Sequence, residues 1–275
     1  MLEGQAGVGK WQNISSFLRF WLEDNPLSQP EKKTLDTYYT SYRKRFGPYI
    51  QHHYAEQTLE ICAAIQELKD PMVLEVGTGC GTEALWFALL GARVTAIDLS
   101  VDRLAVARAR RVWLHHSLGV SLNIEFCDTS LFDFSPTDGF DIIWMEQTFH
   151  HLEPRAEVYA KLFKLLKPGG SLFISESNAW NIFMQLQLFL RRGFKTKIHM
   201  QDPSGNLVQY GNERITTPFM LELGLKSAGF VVKKTRSFRL LPNSNPPAFW
   251  LVMEKLILNV FPFLSTHYNT IAVKP

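Results

Sequence analysis

A glycine-rich loop is the first feature of the sequence that could do chemistry. It follows a short apolar run and places three glycines at alternate positions, Gly77, Gly79 and Gly81. Glycine permits a tight turn and lets the backbone approach a bound molecule closely. A helix that starts after such a loop offers free N–H groups to polar atoms. Asp98 comes about twenty residues later, where a doubly wound sheet contacts ribose hydroxyls. The layout therefore predicts a site for a nucleoside-bearing cofactor.

The elements that must position these residues alternate along the chain from Pro71 onward. Short apolar runs predict strands, and longer segments with helical spacing of apolar residues predict helices between them. The predicted strands are Met72–Val76, Arg93–Ile97, Ser121–Cys127, Phe140–Met145 and Ser171–Ser175. The predicted helices are Glu83–Leu90, Asp102–Leu118 and Arg155–Leu166. Such alternation indicates an α/β fold with a mostly parallel sheet and helices on both faces.

The spacing of the glycines bears on the class of cofactor. A dinucleotide-binding loop has the pattern Gly-x-Gly-x-x-Gly. In this chain Thr82 stands at the last position of that pattern, and Gly81 comes one residue earlier. The loop counts against a nicotinamide-dependent Rossmann oxidoreductase, which stays an alternative at this point.

Five sequence blocks occur in order along the chain. They are Glu75–Gly81, Val94–Ser100, Phe126–Asp128, Phe140–Met145 and Leu166–Phe173. Together they resemble the class I S-adenosylmethionine-dependent methyltransferases of the small-molecule type, over roughly Tyr54 to Lys274. The resemblance implies a Rossmann-like doubly wound seven-stranded sheet, mostly parallel with a reversed last strand, plus helical cap and lid insertions. It also implies an enzyme that uses S-adenosyl-L-methionine and releases S-adenosyl-L-homocysteine. A non-catalytic methyltransferase-like binding module is the alternative.

The resemblance also implies roles for individual residues on the cofactor side. Gly77, Gly79 and Gly81 would pass beneath the methionine and ribose, with Glu75 supporting the amino group or the loop. Asp98 would accept from both ribose hydroxyls, Leu99 would cover an adenine face, Asp128 would accept from the adenine amine, and Glu146 would border the methyl. Tyr42 and Arg45, in the Tyr- and Arg-rich stretch before the core, would contact the cofactor carboxylate and the acceptor. Structural capping by Glu75 or Asp128, and a solvated helix around Tyr42, are the alternatives.

Two adjacent histidines follow the fourth predicted strand. Histidine titrates near neutrality, so His150 and His151 are candidates for the base that deprotonates an acceptor; a packing role is the alternative for each. The same His-His pair resembles many small-molecule members of the family, which favours O- or C-methylation. The segment Glu146–Phe149 departs from the Asp/Asn-Pro-Pro-aromatic motif of the nucleic-acid amino-methylating enzymes. The sequence therefore argues against nucleic acid as substrate.

The remaining sequence predicts the domain organisation and the partners. Residues 1–53 are expected to form an N-terminal helical cap, and residues 54–275 the cofactor-binding domain, with lid insertions at about 177–213 and 239–267. The apolar segments Trp180–Leu190 and Phe249–Phe261 interrupt the regular pattern and predict a hydrophobic small-molecule acceptor, although core or a homodimer interface would explain them equally. Charged residues interrupt the longest apolar stretch, so no transmembrane segment is expected, and peripheral membrane contact stays open.

Composition gives two further expectations. The net charge of +3 is too weak to indicate a nucleic-acid partner. Three cysteines without a Cys-x-x-Cys pair favour a reducing, cytoplasmic setting. No His, Cys or Asp cluster has the spacing of a zinc site, so no metal is predicted.

Overall fold

The computed structural model describes residues 8–201 and 207–275, and the chain divides into two compact units. The first unit contains the described residues up to Ser130 together with Asn243–Ala248, and the second contains the remainder. The first seven residues of the predicted N-terminal cap lie outside the described residues, as do residues 202–206 of the first predicted insertion.

The first unit begins with four helices, which precede its strands. They are α1 (Ile14–Glu23), α2 (Gln29–Tyr38), α3 (Thr40–Arg43) and α4 (Pro48–Glu67). The Asn13 side chain caps α1 by accepting from the Ser16 backbone N–H. Phe17, Leu18 and Trp21 of α1 are fully buried, so this helix contributes to the core of its unit.

Three parallel strands and two helices complete the first unit. They are β1 (Met72–Val76), α5 (Thr82–Leu89), β2 (Arg93–Asp98), α6 (Val101–Leu118) and β3 (Ile124–Asp128). β1 pairs with β2, and β2 pairs with β3. The register places Asp98 opposite Asp128 at the carboxyl ends of β2 and β3. Two residues predicted to bind the cofactor, Asp98 and Asp128, are therefore the last residues of neighbouring strands.

The second unit carries six strands and four helices among its described residues. They are β4 (Phe140–Glu146), α7 (Arg155–Leu165), β5 (Leu166–Ser177), α8 (Ile182–Arg192), β6 (Lys197–Gln201), β7 (Leu207–Gly211), α9 (Pro218–Ser227), β8 (Val231–Phe238), α10 (Trp250–Val260) and β9 (His267–Val273). β4 and β5 are parallel, whereas β9 runs antiparallel to both β5 and β8.

Seven strands form one sheet in the order β3-β2-β1-β4-β5-β9-β8. The last strand is reversed, and the predicted Rossmann-like doubly wound sheet is confirmed. None of the helices within the described ranges combines the length and apolarity that crossing a lipid bilayer requires.

Local boundaries differ from the sequence predictions at several places. α4 begins at Pro48, inside the predicted N-terminal cap, because proline is favoured in the first turn of a helix. The part of the first insertion after α8 contains an antiparallel strand pair, β6 and β7, where no strand was predicted. The alternating Lys197–Met200 and Leu207–Tyr210 segments flank turn-forming residues, and that pattern was the available signal for a hairpin.

Candidate functional site

The glycine loop between β1 and α5 adopts a backbone that only glycine enters freely. Gly77, Gly79 and Gly81 have φ values of 78°, 53° and 75°, in the left-handed region that other residues enter at a cost. A Cβ atom on Gly79 would lie 2.2 Å from the Tyr38 hydroxyl oxygen. The glycine spacing seen in the sequence therefore reflects both the turn and the close approach of a tyrosine.

Asp98 lies directly against this loop. Its Oδ2 accepts a hydrogen bond of 2.8 Å from the Gly79 backbone N–H, and its Oδ1 accepts one of 2.8 Å from the Ser100 N–H. The structure thus brings together the two residues on which the nucleoside site was predicted to depend. Each carboxylate oxygen has a second lone pair, so both retain capacity for a ligand hydroxyl.

Glu75 and Asp128 occupy different environments beside the loop. Glu75 is buried, and its Oε2 accepts a 2.7 Å hydrogen bond from the Thr78 hydroxyl, so it braces the turn from β1. Asp128 is exposed at the end of β3, opposite Asp98 in the strand register. Leu99, next to Asp98, is half-buried.

A buried arginine that sequence reasoning missed supports the loop from below. Arg110 of α6 donates from Nη1 to the Cys80 carbonyl at 2.6 Å and to Thr82 Oγ1 at 2.9 Å. The hydroxyl groups of Tyr39 and Thr82 share a 2.6 Å hydrogen bond. Arg110 also lies over the Trp21 ring, 4.6 Å from its centroid. Burial lowers the pKa of Arg110, partly offset by nearby Tyr39. Its sequence context, a helix rich in alanine and arginine, reads as a solvated face and gave no signal of burial.

The tyrosine that meets the loop differs from the one selected from sequence. Tyr38, at the end of α2, has its hydroxyl against Gly79, and the Arg103 guanidinium lies 5.0 Å from the Tyr38 ring centroid. Tyr42 is half-buried, with its ring 6.0 Å from that of Tyr39 in a stacked arrangement. Arg45 is exposed and donates to the Asn243 carbonyl at 2.8 Å. Tyr38 lies in the same Tyr- and Arg-rich stretch as Tyr42 and Arg45, and its ring is the one that meets the loop at Gly79.

In the second unit, β4 ends in a tight turn that leads to the two histidines. Glu146, the last residue of β4, is half-buried, and its carbonyl accepts from the Thr148 hydroxyl at 2.9 Å. Gln147 has a positive φ of 47°, and its N–H donates to the Ser175 carbonyl at 2.9 Å. Phe149–His151 then forms one turn of 3₁₀-helix. The turn fixes both histidines relative to β5.

His150 forms a buried pair with Glu176 of β5. Its Nδ1 lies 2.8 Å from Glu176 Oε2, and its backbone N–H donates to Oε1 at 3.3 Å. Both side chains are buried. Burial by itself lowers the pKa of His150, but the Glu176 carboxylate outweighs it and raises that pKa above its ordinary value. Burial raises the pKa of Glu176, and the facing His150 more than reverses this, so it stays ionised. His150 is therefore held toward the imidazolium form.

His151 has the opposite electrostatics. Its Nδ1 lies 3.0 Å from the Gly211 carbonyl oxygen; a carbonyl only accepts, so Nδ1 carries the proton and Nε2 is left with a lone pair. The ring stacks on Tyr210 at 4.7 Å between centroids. Burial lowers the pKa of His151, and the neighbouring His150 lowers it further. A neutral imidazole with a free Nε2 is the form that a general base requires.

Glu213 completes the cluster in the second unit. It has a positive φ of 50°, and its Oε2 lies 3.7 Å from His150 Nε2. Within the described part of the chain, ligand atoms of His150, His151 and Glu213 lie within 4.8 Å of one another, a grouping that sequence spacing did not indicate. His150 Nδ1 faces Glu176, so Nε2 is the ring atom that faces the group, the arrangement in which a carboxylate orients a histidine. We treat the group as a proton-handling cluster.

Comparisons with known proteins agree with this architecture. A family model described as a methyltransferase domain matches residues 74–174. The chain is 31% identical over 141 residues to phosphoethanolamine N-methyltransferase 1 of Zea mays, covering 49% of this chain and 26% of that protein. It is 34% identical over 122 residues to a ubiquinone biosynthesis O-methyltransferase of Xanthomonas oryzae pv. oryzae, covering 44% of this chain and 48% of that protein. The chain thus spans less than half the length of these curated relatives.

A solved structure supports the fold independently. The S-adenosylmethionine-dependent methyltransferase of Mesorhizobium loti superposes with a TM-score of 0.53 at 17% identity, covering 79% of this chain and 98% of that one. The matched region, 74–174, contains the end of β1, the glycine loop, Asp98 and both histidines. From these matches we conclude that residues 74–174 belong to a methyltransferase domain and that the seven-stranded sheet has the fold of the S-adenosylmethionine-dependent methyltransferases.

Proposed function

We propose that the protein transfers a methyl group from S-adenosyl-L-methionine to a hydroxyl or acidic carbon of a small hydrophobic molecule. The observation that carries the proposal is the Asp98 carboxylate hydrogen-bonded to the Gly79 N–H, inside a region that matches a methyltransferase domain. That contact places a carboxylate, which accepts hydrogen bonds, beside the glycine-loop backbone, which a ligand can approach closely.

The first unit supplies the residues that would hold the cofactor. Asp98 accepts from the two ribose hydroxyls through the second lone pair of each oxygen, and Asp128 accepts from the adenine amine. Leu99 covers one face of the adenine. The glycine loop, braced by Glu75, leaves room beneath the methionine and ribose. Tyr38 joins this set in place of Tyr42 and Arg45, because its hydroxyl lies at the loop.

The second unit supplies the acceptor chemistry in this proposal. When bound, S-adenosyl-L-methionine supplies an electrophilic methyl carbon. His151 Nε2 would take the proton from the acceptor hydroxyl or carbon, which would free an electron pair on that atom for the methyl group that the cofactor supplies. A positioned base contributes about 10² to 10⁴ in rate. Glu146, at the end of β4, borders the transferred methyl.

His150 acts as a positioning residue for His151. Its ring centroid lies 4.1 Å from that of His151, and its charge adds to burial in lowering the pKa of His151. Glu176 in turn holds the charge on His150. The pair follows a general pattern in which two adjacent titratable groups have their pKa values moved in opposite directions to divide acid and base roles.

The apolar character of the second unit supports a hydrophobic acceptor. A surface groove of about 460 Å³ is lined mainly by α8 and the turn that follows it, with Ile182, Leu186, Phe189 and Phe194 among its residues. The relatives named above include an enzyme of ubiquinone biosynthesis and one of phosphoethanolamine methylation. The histidine cluster favours oxygen or carbon over nitrogen, because an unprotonated amine needs no base.

Release of S-adenosyl-L-homocysteine from a panel of phenols, quinones, fatty acids and phosphoethanolamine tests the proposal. We expect turnover with hydrophobic hydroxyl compounds, and loss of that turnover in His151→Asn. Calorimetry with S-adenosyl-L-methionine and with NAD then separates the alternatives. Binding of NAD but not of S-adenosyl-L-methionine would overturn the assignment in favour of an oxidoreductase. Cofactor binding without turnover across the panel would favour a binding module.

The proposed setting is a reducing cytoplasm. Cys62, Cys80 and Cys127 are all free thiols. Burial raises the pKa of the Cys80 thiol to about 12 and that of Cys62 to about 11, so neither forms a reactive thiolate at neutral pH.

A further inference from the structure

Helix α8 and the turn after it expose an apolar surface that neither the core nor the histidine cluster uses. Of the helix residues, only Leu188 is buried. We call this the α8 surface, and its main members, with their exposed fractions, are Trp180 (46%), Ile182 (70%), Phe183 (75%), Leu186 (56%), Leu190 (76%) and Phe194 (90%). Isolated exposed apolar residues are normal, but a contiguous set of this size marks an interaction site.

The apolar area extends beyond the helix. The Asn181 side chain, which caps α8, donates to the Leu264 carbonyl at 2.7 Å. This hydrogen bond places the start of α8 beside the short turn Pro262–Leu264. Phe261 and Phe263, at that turn, are each 47% exposed. Two segments that the sequence marked as apolar therefore meet at the start of α8.

Basic side chains border the α8 surface at its other end. Arg191 and Arg192 close the helix, and Lys195 and Lys197 follow within five residues. Lys197 is paired with Glu153 at 3.3 Å, and Arg191 and Lys195 are exposed. No aspartate or glutamate occurs between residues 177 and 201. The surface therefore combines large apolar side chains with a one-sided positive rim.

We propose that the α8 surface docks onto an anionic lipid bilayer, with the helix lying in the plane of the headgroups. An amphipathic helix with Phe and Leu on one side and Lys or Arg at its border binds membranes in this way, through buried apolar area and attraction to anionic lipid. The bilayer satisfies both features at once, because the acyl region accepts the apolar side chains and the headgroups neutralise the rim. The groove residues Ile182, Leu186 and Phe194 belong to this surface, so a hydrophobic acceptor would reach them from the bilayer, whereas vesicle binding itself requires no turnover.

The positive rim argues against a second copy of the chain as the occupant. A two-fold symmetric dimer presents the same patch from both subunits. Pairing two α8 surfaces would place Arg191, Arg192 and Lys195 of each copy against the α8 surface of the other, and residues 177–201 contain no acidic side chain to offset them. Anionic headgroups supply the missing negative charge.

Co-sedimentation of the full chain with vesicles tests the docking. Vesicles of phosphatidylcholine alone are compared with vesicles that also contain phosphatidylserine, at low and high sodium chloride. Each basic side chain near an anionic surface changes binding about fivefold. Arg191→Gln with Lys195→Gln should therefore weaken binding to phosphatidylserine vesicles about 25-fold. Phe183→Ser with Leu190→Ser removes apolar insertion and should weaken it by at least about tenfold.

A matched control comes from another exposed apolar pair in the second unit. Phe219→Ser with Leu223→Ser on α9, where the exposed fractions are 60% and 49%, should leave vesicle binding unchanged. All the substituted side chains are exposed, so the variants should fold, which circular dichroism verifies. Equal binding to both kinds of vesicle, or equal loss in the α9 control, would overturn the proposal. So would a wild-type dimer in solution that the α8 variants abolish, since it would assign the surface to a second copy.

Discussion

Replacing Asp98 by Asn tests the cofactor assignment most directly. In the structure each Asp98 oxygen already accepts one backbone N–H, from Gly79 and from Ser100, both at 2.8 Å. The ribose hydroxyls would use the second lone pair of each oxygen. Asparagine keeps one acceptor oxygen and replaces the other with an NH₂ group. In either orientation of the amide, the NH₂ group lies against a backbone N–H that it cannot accept from. The same NH₂ group also cannot accept a hydrogen bond from the ribose hydroxyl on that side.

The expected magnitude follows from the hydrogen bonds lost. A hydrogen bond to a charged group contributes about 1.5 to 3 kcal/mol, and about 1.4 kcal/mol corresponds to a tenfold change in Kd. Asp98→Asn loses one such bond and weakens the other, so the Kd for S-adenosyl-L-methionine should rise about 10- to 200-fold. Asp98→Ala loses both, and its Kd should rise at least about a hundredfold.

Isothermal titration calorimetry with S-adenosyl-L-methionine and S-adenosyl-L-homocysteine measures both constants. Asp138→Asn, an exposed carboxylate in the loop before β4, is the matched control and should bind as the wild type does. Thermal unfolding without ligand shows whether each variant is folded. A Kd for folded Asp98→Asn within about threefold of the wild-type value would refute the reasoning, because the carboxylate would then not contact the ribose.

Three further predictions concern the histidine cluster. His151→Asn should lower kcat about 10² to 10⁴-fold while the Kd for S-adenosyl-L-methionine stays unchanged; a parallel loss of binding would contradict the base role. Because burial and His150 lower the pKa of His151, wild-type kcat should be flat near pH 7 and fall only below the ordinary histidine range. Glu176→Gln should move that acid limb upward, since a neutral His150 no longer repels the proton on His151; an unmoved limb would contradict the coupling. Glu176→Gln should also cost about 3 kcal/mol of unfolding free energy. The cost should be largest between about pH 4.5 and 6.5. The pKa of Glu176 is lowered, so its contribution is complete above about pH 4.5 and is lost at lower pH. The pKa of His150 is raised, so its contribution is complete below about pH 6.5 and is lost at higher pH. Urea unfolding across pH measures it, and a flat profile would contradict the ion pair.

The fold and the glycine loop were predictable because their signals are local. Alternating strand and helix patterns determine a parallel sheet, and the ends of parallel strands meet at one edge. The contact between Gly79 and Asp98 follows from that rule although nineteen residues separate them. The support beneath the loop was not predictable in the same way. Arg110 lies in a helix whose composition indicates solvent exposure, and it is buried only because α1 brings Trp21 over it.

The histidine cluster shows the same limit on a finer scale. Neither Glu176 nor Gly211 has a spacing to the histidines that indicates contact, since they lie 26 and 60 residues along the chain. Glu176 reaches His150 because β5 continues beyond the predicted end at Ser175. Gly211 is the last residue of β7, and the pairing of β7 with β6 was not predicted from the sequence.

The pKa values of two neighbouring histidines are therefore moved in opposite directions, by burial and by their different partners. A carboxylate on Nδ1 holds His150 toward the charged form, whereas the carbonyl on Nδ1 of His151 accepts a hydrogen bond without adding charge. The charged ring lies 4.1 Å from the neutral one and lowers its proton affinity. The ring without a facing carboxylate is the one whose protonation this repulsion disfavours. For His151 to be the charged ring and His150 the neutral one, Glu176 would have to face His151 instead. In the proposed mechanism, the position of one buried carboxylate thus determines which histidine acts as the base.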